Sequence, residues 1–220
     1  MKLGVIVPSR GRPQAMAELV ATFEATCRAD TRLICRVDDD DDLDAYRAAV
    51  PGSLFVGPRV GLGASINEMA STWVDKVDCL GFMGDDHRPR TIGWDERILS
   101  VIEKEPLGVV YGDDLFQGRN LASQVFMGAE LVRRLGWFNP PGIRHMYIDN
   151  FWMTLGTNLG TLQFLEDVVI EHMHPIAGKA EWDAGYRDVN AQQQYDADRA
   201  AFNAYLRTDL VNDLMRVTQP

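Results

Sequence analysis

The sequence has few features of secreted, membrane-spanning or disulfide-bonded proteins. Its 220 residues include three cysteines, Cys27, Cys35 and Cys79, which form no Cys-x-x-Cys pair and whose odd number argues against a disulfide framework. No apolar stretch approaches the roughly 20 residues that a membrane-spanning helix needs. The apolar segment in MKLGVIVPSRGRP is too short for a signal peptide. We therefore expect a protein without a membrane span, in a reducing compartment such as the cytoplasm.

Positively charged residues are also scarce, since 22 lysines and arginines stand against 32 aspartates and glutamates, a net charge of −10. This balance disfavours a general affinity for nucleic acids, because binding to phosphates depends on clustered cations. One local pair of arginines would be enough for the phosphates of a nucleotide. Such pairs occur at Arg10 and Arg12, Arg88 and Arg90, and Arg133 and Arg134.

The sequence does contain short apolar runs that alternate with helical patterns. The runs predict strands at 3–7, 33–37, 53–56, 77–83 and 107–111, and the spacing of apolar residues predicts helices at 14–26, 63–76 and 93–104. This alternation indicates a single α/β domain, Rossmann-like, with a mostly parallel sheet flanked by helices. Aromatic residues at helical intervals in 188–216 predict a helical C-terminal tail that packs across the domain.

Three of the predicted strands end in polar sequences. PSRGR follows the first strand, DDDDD the second and GDDH the fourth. In a parallel sheet these carboxyl ends meet at one edge, which is where α/β proteins bind ligands. We therefore expect a ligand site at this edge.

The motif GDDH places Asp85 and Asp86 side by side, directly after a buried strand. Adjacent carboxylates repel each other unless something positive lies between them. Divalent cations such as Mg²⁺ and Mn²⁺ prefer oxygen ligands, so a metal site is one interpretation. The alternative is a solvated turn that caps the next helix. A second GDD, at 112–114, has no histidine beside it and is interpreted as a turn.

The motif EHMHP offers nitrogen ligands for the same cation. His172 and His174 are two residues apart, so on a strand both would face one side. Either histidine could complete the metal site. The alternative is one core histidine and one surface histidine beside a proline turn.

The acidic run 38–42 is not a calcium-binding EF-hand loop, because Leu43 stands at the sixth position, where such a loop needs glycine. Asp38 and Asp39 lie directly at the strand end and are placed to accept hydrogen bonds from a base or ribose. Asp41, Asp42 and Asp44 are interpreted as a solvated acidic loop.

Asp149 lies among bulky residues in RHMYIDNFWM, where an unpaired carboxylate would be costly. A general base that faces a cleft is one explanation. A helix N-cap is the other.

Taken in order, these motifs resemble those of GT-A-fold glycosyltransferases, especially the family-2-like group of small nucleotide-sugar enzymes. VIVPSRGR is similar to the first strand of that family, and Asp38-Asp39 to the pair that ends its second strand. GLGASINEMA is similar to its next helix, with Asn67 in place and Ile66 where arginine is common. Further on, LGWFN resembles a Gly-x-Phe-Asp turn. The resemblance covers roughly residues 1–175.

The family's fourth strand ends in an Asp-x-Asp motif followed by proline and tryptophan, which Pro89 and Trp94 match. In one register Gly84 replaces the first aspartate and Asp86 is the metal-binding last residue. In the other register, Asp85-x-His87, the histidine is the last ligand. Asp149 falls where an acidic base is expected, although the local sequence reads Ile-Asp-Asn.

The resemblance implies a metal-dependent glycosyltransferase, a hexosyl- or pentosyltransferase, that uses a nucleotide-diphosphate sugar, most simply a UDP-sugar. Residues 1–111 would bind the nucleotide, 112–187 would bind the acceptor and complete the metal site, and 188–220 would form the C-terminal helix. Mn²⁺ or Mg²⁺ would be held by Asp86 with His172 or His174, and Asp149 would deprotonate the acceptor. The implied nucleotide contacts are Pro8, Ser9, Arg10, Asp38, Asp39, Asn67 and Asp85.

The acceptor is left open among a glycan, a protein and modified DNA. Trp94, Trp137 and Trp152 are candidates for stacking on a sugar, with core packing expected for at least two of them. The same Asp/His cluster would also serve a metal-dependent hydrolase, which needs no nucleotide. A nucleotidyltransferase is a third hypothesis, although PSRGR lacks a lysine-containing glycine-rich loop. A sugar-nucleotide binder without catalysis is a fourth.

Overall fold

The computed structural model of the chain describes residues 1–52, 54–189 and 191–219. Ser53 of the third predicted strand, and Asn190 and Pro220 of the predicted tail region, lie outside the described residues. The strands are β1 (Lys2–Ser9), β2 (Asp30–Asp38), β3 (Leu54–Gly57), β4 (Cys79–Phe82), β5 (His87–Pro89), β6 (Val109–Asp113), β7 (Val125–Gly128) and β8 (Leu162–His172).

The helices of the described residues are α1 (Pro13–Thr26), α2 (Leu43–Ala49), α3 (Leu62–Trp73), α4 (Trp94–Ile102), α5 (Ala129–Leu135), α6 (Ile148–Leu159), α7 (Ala184–Val189), α8 (Gln192–Thr208) and α9 (Leu210–Thr218). Two short 3-10 helices occur at Gly118–Asn120 and Pro175–Ala177. None of the helices in the described ranges is long and apolar enough to cross a membrane.

Each predicted strand coincides with an observed one (β1, β2, β3, β4 and β6), and the three predicted helices are α1, α3 and α4. The strands β5, β7 and β8 were not individually predicted. β5 has only three residues, and β8 carries exposed charges such as Glu166 and Asp167, so neither gives a continuous apolar signal.

The strands of the described residues form one sheet in the order β3-β2-β1-β4-β7-β6-β8-β5. Its first part is parallel: β1 pairs with β2 and with β4, and β2 pairs with β3. β7 runs antiparallel to β4 and β6, β6 and β8 are parallel, and β5 is antiparallel to β8. The carboxyl ends of β1, β2 and β4 therefore lie at one edge, as the polar strand ends predict.

Helices cover both faces of the sheet, because the side chains of its central strands alternate between two cores. On β1, Val5 and Val7 belong to the core that includes α1 and α4, whereas Ile6 belongs to the core that includes α3, α5 and α6. Both faces of the strand are buried, which is why β1 reads as a nearly continuous apolar run.

The C-terminal tail packs against the second of these cores, as its spacing predicts. Phe202 and Tyr205 of α8 are buried there, and Tyr205 contacts Phe151 of α6 edge to face. The carboxylate of Asp198 on α8 accepts hydrogen bonds from three successive backbone N–H groups at 144–146. The tail thereby fixes the loop that leads into α6.

Candidate functional site

The ends of β1 and β4 are joined by a short chain of hydrogen bonds. The Ser9 hydroxyl donates to Asp85 Oδ2 at 2.5 Å. Ser9 Oγ also lies 2.7 Å from the Tyr46 hydroxyl, and because its only proton goes to Asp85, Tyr46 is the donor of that second bond. Burial, followed by the charge of Asp86, raises the pKa of Asp85 to about 6. The two adjacent carboxylates of GDDH therefore do resist joint ionisation.

Asp86 is contacted by a hydroxyl group and an imidazole ring. The Tyr186 hydroxyl donates to its Oδ2 at 2.6 Å, and His172 Nε2 lies 3.3 Å from the same oxygen. Burial opposes ionisation of Asp86, but the contacts with the imidazoles of His172 and His87 hold its pKa well below the usual value. Asp86 is thus the carboxylate of the pair that carries the charge.

His87 lies beneath this site with both ring nitrogens directed at protein groups. Its Nδ1 accepts the backbone N–H of Gly84 at 2.9 Å, and its Nε2 faces Ser123 Oγ at 3.5 Å. A β-carbon at position 84 would lie 2.5 Å from Asp86 Oδ1, so a side chain there would displace this carboxylate from its observed position. This arrangement favours the register in which Asp86, and not His87, is the last residue of the motif.

His172 ends β8 directly opposite His87, its register partner on β5. The two rings stack with centroids 4.4 Å apart and planes 14° apart. His174 lies beyond the strand, where its Nδ1 accepts the N–H of Ile176 at 3.2 Å and its ring stacks on Phe116. The structure therefore brings His172, and not His174, to Asp86.

These residues fit a divalent cation. Within the described chain, Asp86, His87 and His172 each offer a ligand atom, and these atoms lie within 4.8 Å of one another. Because Nδ1 of His87 accepts the Gly84 N–H and its Nε2 faces Ser123, the two remaining ligands are the Asp86 carboxylate and the His172 imidazole. Carboxylates suit Mg²⁺ and Mn²⁺, whereas imidazole favours the transition metals, so Mn²⁺ matches both.

Arg12 supplies the positive charge next to Asp85. Its Nη1 lies 3.4 Å from Asp85 Oδ1, while its Nε and Nη2 donate to both oxygens of Asp183 at 2.6 and 2.8 Å. Its guanidinium carbon lies 3.8 Å from the centroid of the Tyr186 ring. The segment that carries Asp183 and Tyr186 is therefore tied to the strand-end site from above.

The edge beside β2 is built differently. Asp38 is buried and accepts hydrogen bonds from Arg36 and, at 2.9 Å, from Arg10. Arg10 also binds both oxygens of the exposed Asp40. Asp39 is exposed, and its backbone N–H donates to Gly57. Two arginines thus neutralise this acidic strand end within the protein.

Two further predicted contacts lie nearby. Pro8 is half-buried in β1, opposite Arg36 in the parallel register. The amide of Asn67 is engaged at both ends: its Oδ1 accepts the N–H groups of Phe138 and Asn139, and its Nδ2 donates to the Asn139 carbonyl at 2.9 Å. Asn67 therefore connects α3 to the Trp-Phe-Asn turn.

Asp149 lies in the first turn of α6, but it is not the N-cap. That position belongs to Tyr147, whose φ of 68° starts the helix. Asp149 Oδ1 accepts the N–H of Asn150 at 2.9 Å. Burial raises the pKa of Asp149, and the nearby His172 partly opposes that rise.

The second GDD was predicted to be a turn, but Gly112 and Asp113 end β6 and only Asp114 opens the turn that follows. One oxygen of Asp114 accepts three backbone N–H groups, from Phe116, Gln117 and Gly118. Burial alone would raise the pKa of Asp114. The hydrogen bonds from the Ser123 hydroxyl and from these N–H groups outweigh burial, so the pKa lies below the usual value. The carboxylate is also next to His172, which the sequence interpretation did not anticipate.

The tryptophans proposed for sugar stacking are mostly interior. Trp94 and Trp152 are fully buried, which confirms the expected core packing of two of the three, and Trp137 packs on Phe151 and Tyr205. The exposed tryptophan near the site is Trp182, in contact with Tyr186. Tyr46, Asp183 and Tyr186 were also missed, and no local motif marks them.

No protein-family profile and no curated protein sequence matches this chain. Solved structures do match. A mannosyltransferase from Pyrobaculum calidifontis, in complex with GDP-Man and Mn²⁺, aligns over 98% of this chain and 72% of its own, with a TM-score of 0.62 and 14% identity.

Two more solved structures are similar in extent. Glucosyl-3-phosphoglycerate synthase from Mycobacterium tuberculosis, in complex with Mn²⁺, UDP and phosphoglyceric acid, aligns over 100% of this chain and 79% of its own, with a TM-score of 0.59 and 12% identity. TarS from S. aureus, in complex with UDP-GlcNAc, aligns over 96% and 74%, with a TM-score of 0.58 and 13% identity. Likeness at such identities concerns the fold, and the chain has the GT-A fold.

Proposed function

We propose, from the GT-A fold and the carboxylates and histidines at one edge of its sheet, that this protein is a metal-dependent glycosyltransferase. It transfers a hexosyl or pentosyl group from a nucleotide-diphosphate sugar, with UDP as the nucleotide, to an acceptor hydroxyl. The observation that carries the proposal is the approach of Asp86 Oδ2 and His172 Nε2 to 3.3 Å, with the neutral Tyr186 hydroxyl beside them.

The cation site consists of Asp86 and His172, with Asp85 beside them. When bound there, Mn²⁺ or Mg²⁺ would stabilise the negative charge that develops on the leaving diphosphate. Arg12, at 3.4 Å from Asp85, adds a permanent positive charge on the same side. These groups are held in place by Ser9 and by the strand pairing of β1 with β4.

The donor nucleotide is proposed to lie along the ends of β1 and β2. Asp39 is exposed at that edge, so its carboxylate is accessible to a ribose or base. Asp38 and Arg10 form an ion pair that would shape the same surface. The proposed nucleotide surface is bordered by β1, which contains Pro8 and Ser9, and by α3, which contains Asn67. These three residues would hold the surface in shape.

Transfer breaks the bond between the anomeric carbon and the diphosphate oxygen, and the acceptor oxygen forms the new bond to that carbon. The proton of the acceptor hydroxyl goes to Asp149, acting as general base. Burial raises the pKa of Asp149, which makes its carboxylate a stronger base than an exposed aspartate. Asp149 lies in the first turn of α6, so the helix backbone limits the orientation of its carboxylate.

Thermal unfolding with UDP, GDP, CMP and ATP, each with Mn²⁺ and with a chelator, tests the proposal. A nucleotide at about 100 times its Kd stabilises the folded protein by about 2.7 kcal/mol, which for 220 residues raises Tm by about 5–10 °C. We expect this shift with UDP, only when Mn²⁺ is present. Asp86→Ala should abolish it, and the exposed control Asp44→Ala should not.

The outcomes distinguish the proposed transferase from its rivals. Stabilisation by Mn²⁺ alone, with no response to any nucleotide, would contradict the proposal and favour a metal-dependent hydrolase. Binding of UDP without release of UDP from any UDP-sugar would favour a non-catalytic binder.

We place the enzyme in the cytoplasm, because Cys27, Cys35 and Cys79 are free thiols.

A further inference from the structure

Asp114 is a buried carboxylate that the proposed reaction does not use. It follows β6 and is 1% exposed. Its Oδ1 accepts N–H groups at 2.9, 2.7 and 2.8 Å, which complete the turn at 114–118. Among the residues that the structure describes, its Oδ2 has a single donor, the Ser123 hydroxyl at 2.7 Å. One lone pair of Oδ2 is therefore still available to another donor.

The available side of Oδ2 faces His172. The backbone N–H of His172 donates to the Asp114 carbonyl at 3.0 Å, so the two residues are already joined through the main chain. His172 Nδ1 lies 3.9 Å from Asp114 Oδ2. That nitrogen is buried and has no hydrogen-bond partner within the described ranges of the chain. A buried polar atom without a hydrogen-bond partner lowers the stability of the folded protein. A ring rotation that moves Nδ1 by less than about 1 Å would bring it within hydrogen-bond distance of Asp114 Oδ2.

The direction of this contact decides which nitrogen of His172 can bind a cation. An imidazole that carries its proton on Nδ1 has its lone pair on Nε2. Nε2 is the atom that faces Asp86. A carboxylate behind the ring therefore presents the correct nitrogen to the cation, as carboxylate–histidine pairs do in other metal sites.

A second contact restrains the same ring. Ser123, which donates to Asp114, also lies 3.5 Å from Nε2 of His87. His87 in turn stacks on His172 with their centroids 4.4 Å apart. Asp114 thus lies at the edge of the His172 ring, and Ser123 contacts His87, the ring that stacks on its face.

We propose that Asp114 is a positioning residue of the metal site, whose carboxylate accepts the Nδ1–H of His172 and so presents Nε2 to the cation. This role rests on the proposed metal-dependent function. It gives the second GDD motif a purpose that its local turn alone does not supply.

Asp114→Asn is the sharpest test. The asparagine keeps an oxygen for the three N–H groups of the turn but replaces Oδ2 by an NH₂ group, which cannot accept from Nδ1. We expect the affinity for Mn²⁺, titrated into the full-length protein and followed by electron paramagnetic resonance, to fall by about 10- to 100-fold. The Tm of the metal-free protein should stay within a few degrees of wild type.

Asp113→Asn is the matched control, since Asp113 belongs to the same motif and its Oδ1 accepts the N–H of Leu115. Equal losses in both variants would overturn the role, because they would reflect lost negative charge and not a directed hydrogen bond. Unchanged affinity in Asp114→Asn would overturn it directly. Failure of wild-type protein to bind Mn²⁺ would instead overturn the proposed function, and this role with it.

A measurement on wild-type protein does not depend on how any variant folds. ¹⁵N NMR of the histidine side chains in the Mg²⁺-loaded protein shows which nitrogen of His172 carries the proton. We expect protonation at Nδ1. A proton on Nε2 would overturn the proposal, whatever the variants show.

Discussion

Two strand ends at the same edge of the sheet carry adjacent carboxylates, and they are neutralised in different ways. At the end of β2, Asp38 accepts hydrogen bonds from the buried Arg36 and from Arg10. After β4, Asp86 is contacted by the Tyr186 hydroxyl and by His172. Asp38 is thus paired with two permanent cations, of which Arg36 is buried, whereas Asp86 is contacted by a hydroxyl and an imidazole, with Arg12 beside Asp85.

This difference teaches that the density of acidic residues does not identify a cation site. The run 38–42 is the more acidic stretch, yet arginines satisfy its buried member. GDDH has fewer carboxylates, but burial and Asp86 raise the pKa of Asp85 even though Arg12 lies 3.4 Å from it, so the arginine does not fully compensate this pair. The type of partner, and not the number of aspartates, indicates where a metal ion would be stabilising.

The largest expected effect breaks the first of these sites. Arg36→Met should lower the free energy of unfolding by about 3–5 kcal/mol, because it leaves the buried Asp38 without its main partner. Arg36 is 2% exposed and also contacts Glu68 and the Pro58 carbonyl. Urea denaturation measures the change. Arg32→Met, an exposed position on the same strand, is the control, and a loss no larger than the control's would contradict the internal neutralisation.

The next effect extends the comparison to a third carboxylate. Asp149→Asn should lower kcat by about 10²-fold, the low end of what a general base contributes, with stabilisation by UDP and Mn²⁺ unchanged. The asparagine retains the oxygen that accepts the N–H of Asn150. Steady-state release of UDP is the measurement, with the exposed Glu166→Gln as control. A variant that loses donor binding together with kcat would place Asp149 in the binding site instead.

The same residue predicts a pH dependence. A general base must be ionised, so activity falls as the pH drops through its pKa, and burial raises the pKa of Asp149. The acidic limb of kcat should therefore lie above the pKa of about 3.9 of an ordinary aspartate. The pH profile of wild type gives this limb. If the identical limb persisted in Asp149→Asn, another group would be the base.

The smallest expected effect sharpens the second site. Tyr186→Phe removes a hydroxyl that competes with a cation for Asp86 Oδ2. A hydrogen bond to a charged group contributes about 1.5–3 kcal/mol, and the low end of this range corresponds to a rise of about tenfold in affinity for Mn²⁺. Isothermal titration calorimetry measures the affinity for Mn²⁺. The control is Tyr195→Phe, which removes a hydroxyl on α8 that accepts a hydrogen bond from Tyr147. Weaker binding would make the Tyr186 hydroxyl part of the ion's support.

Much of the fold could be predicted from the sequence, because buried parallel strands give continuous apolar runs and the helices between them are amphipathic. The strand-end edge followed from topology alone, since PSRGR and GDDH had to meet once β1 and β4 were neighbours. The contact between Ser9 and Asp85 confirms that meeting.

The rest of the site depends on contacts that local sequence does not encode. Tyr186 is separated from Asp86 by 100 residues, and Asp183 from Arg12 by 171. The contact of His172 with Asp86 depends on where β8 ends, a boundary that apolar spacing does not locate. Asp114 reads as a turn residue because it is one, and its position beside His172 follows only from the parallel pairing of β6 with β8.

The pairing of β5 with β8 limits which changes of length the chain can tolerate. His87 and His172 are paired in a ladder of only three residue pairs between β5 and β8. On its other side β8 pairs with β6, where the register shifts between Gly112 and Asp113. Deleting or inserting one residue between Val169 and His172 would turn the histidine to the opposite face of the strand. Sequences that share this site should therefore vary in the loop after His174 but keep a constant spacing along the final residues of β8.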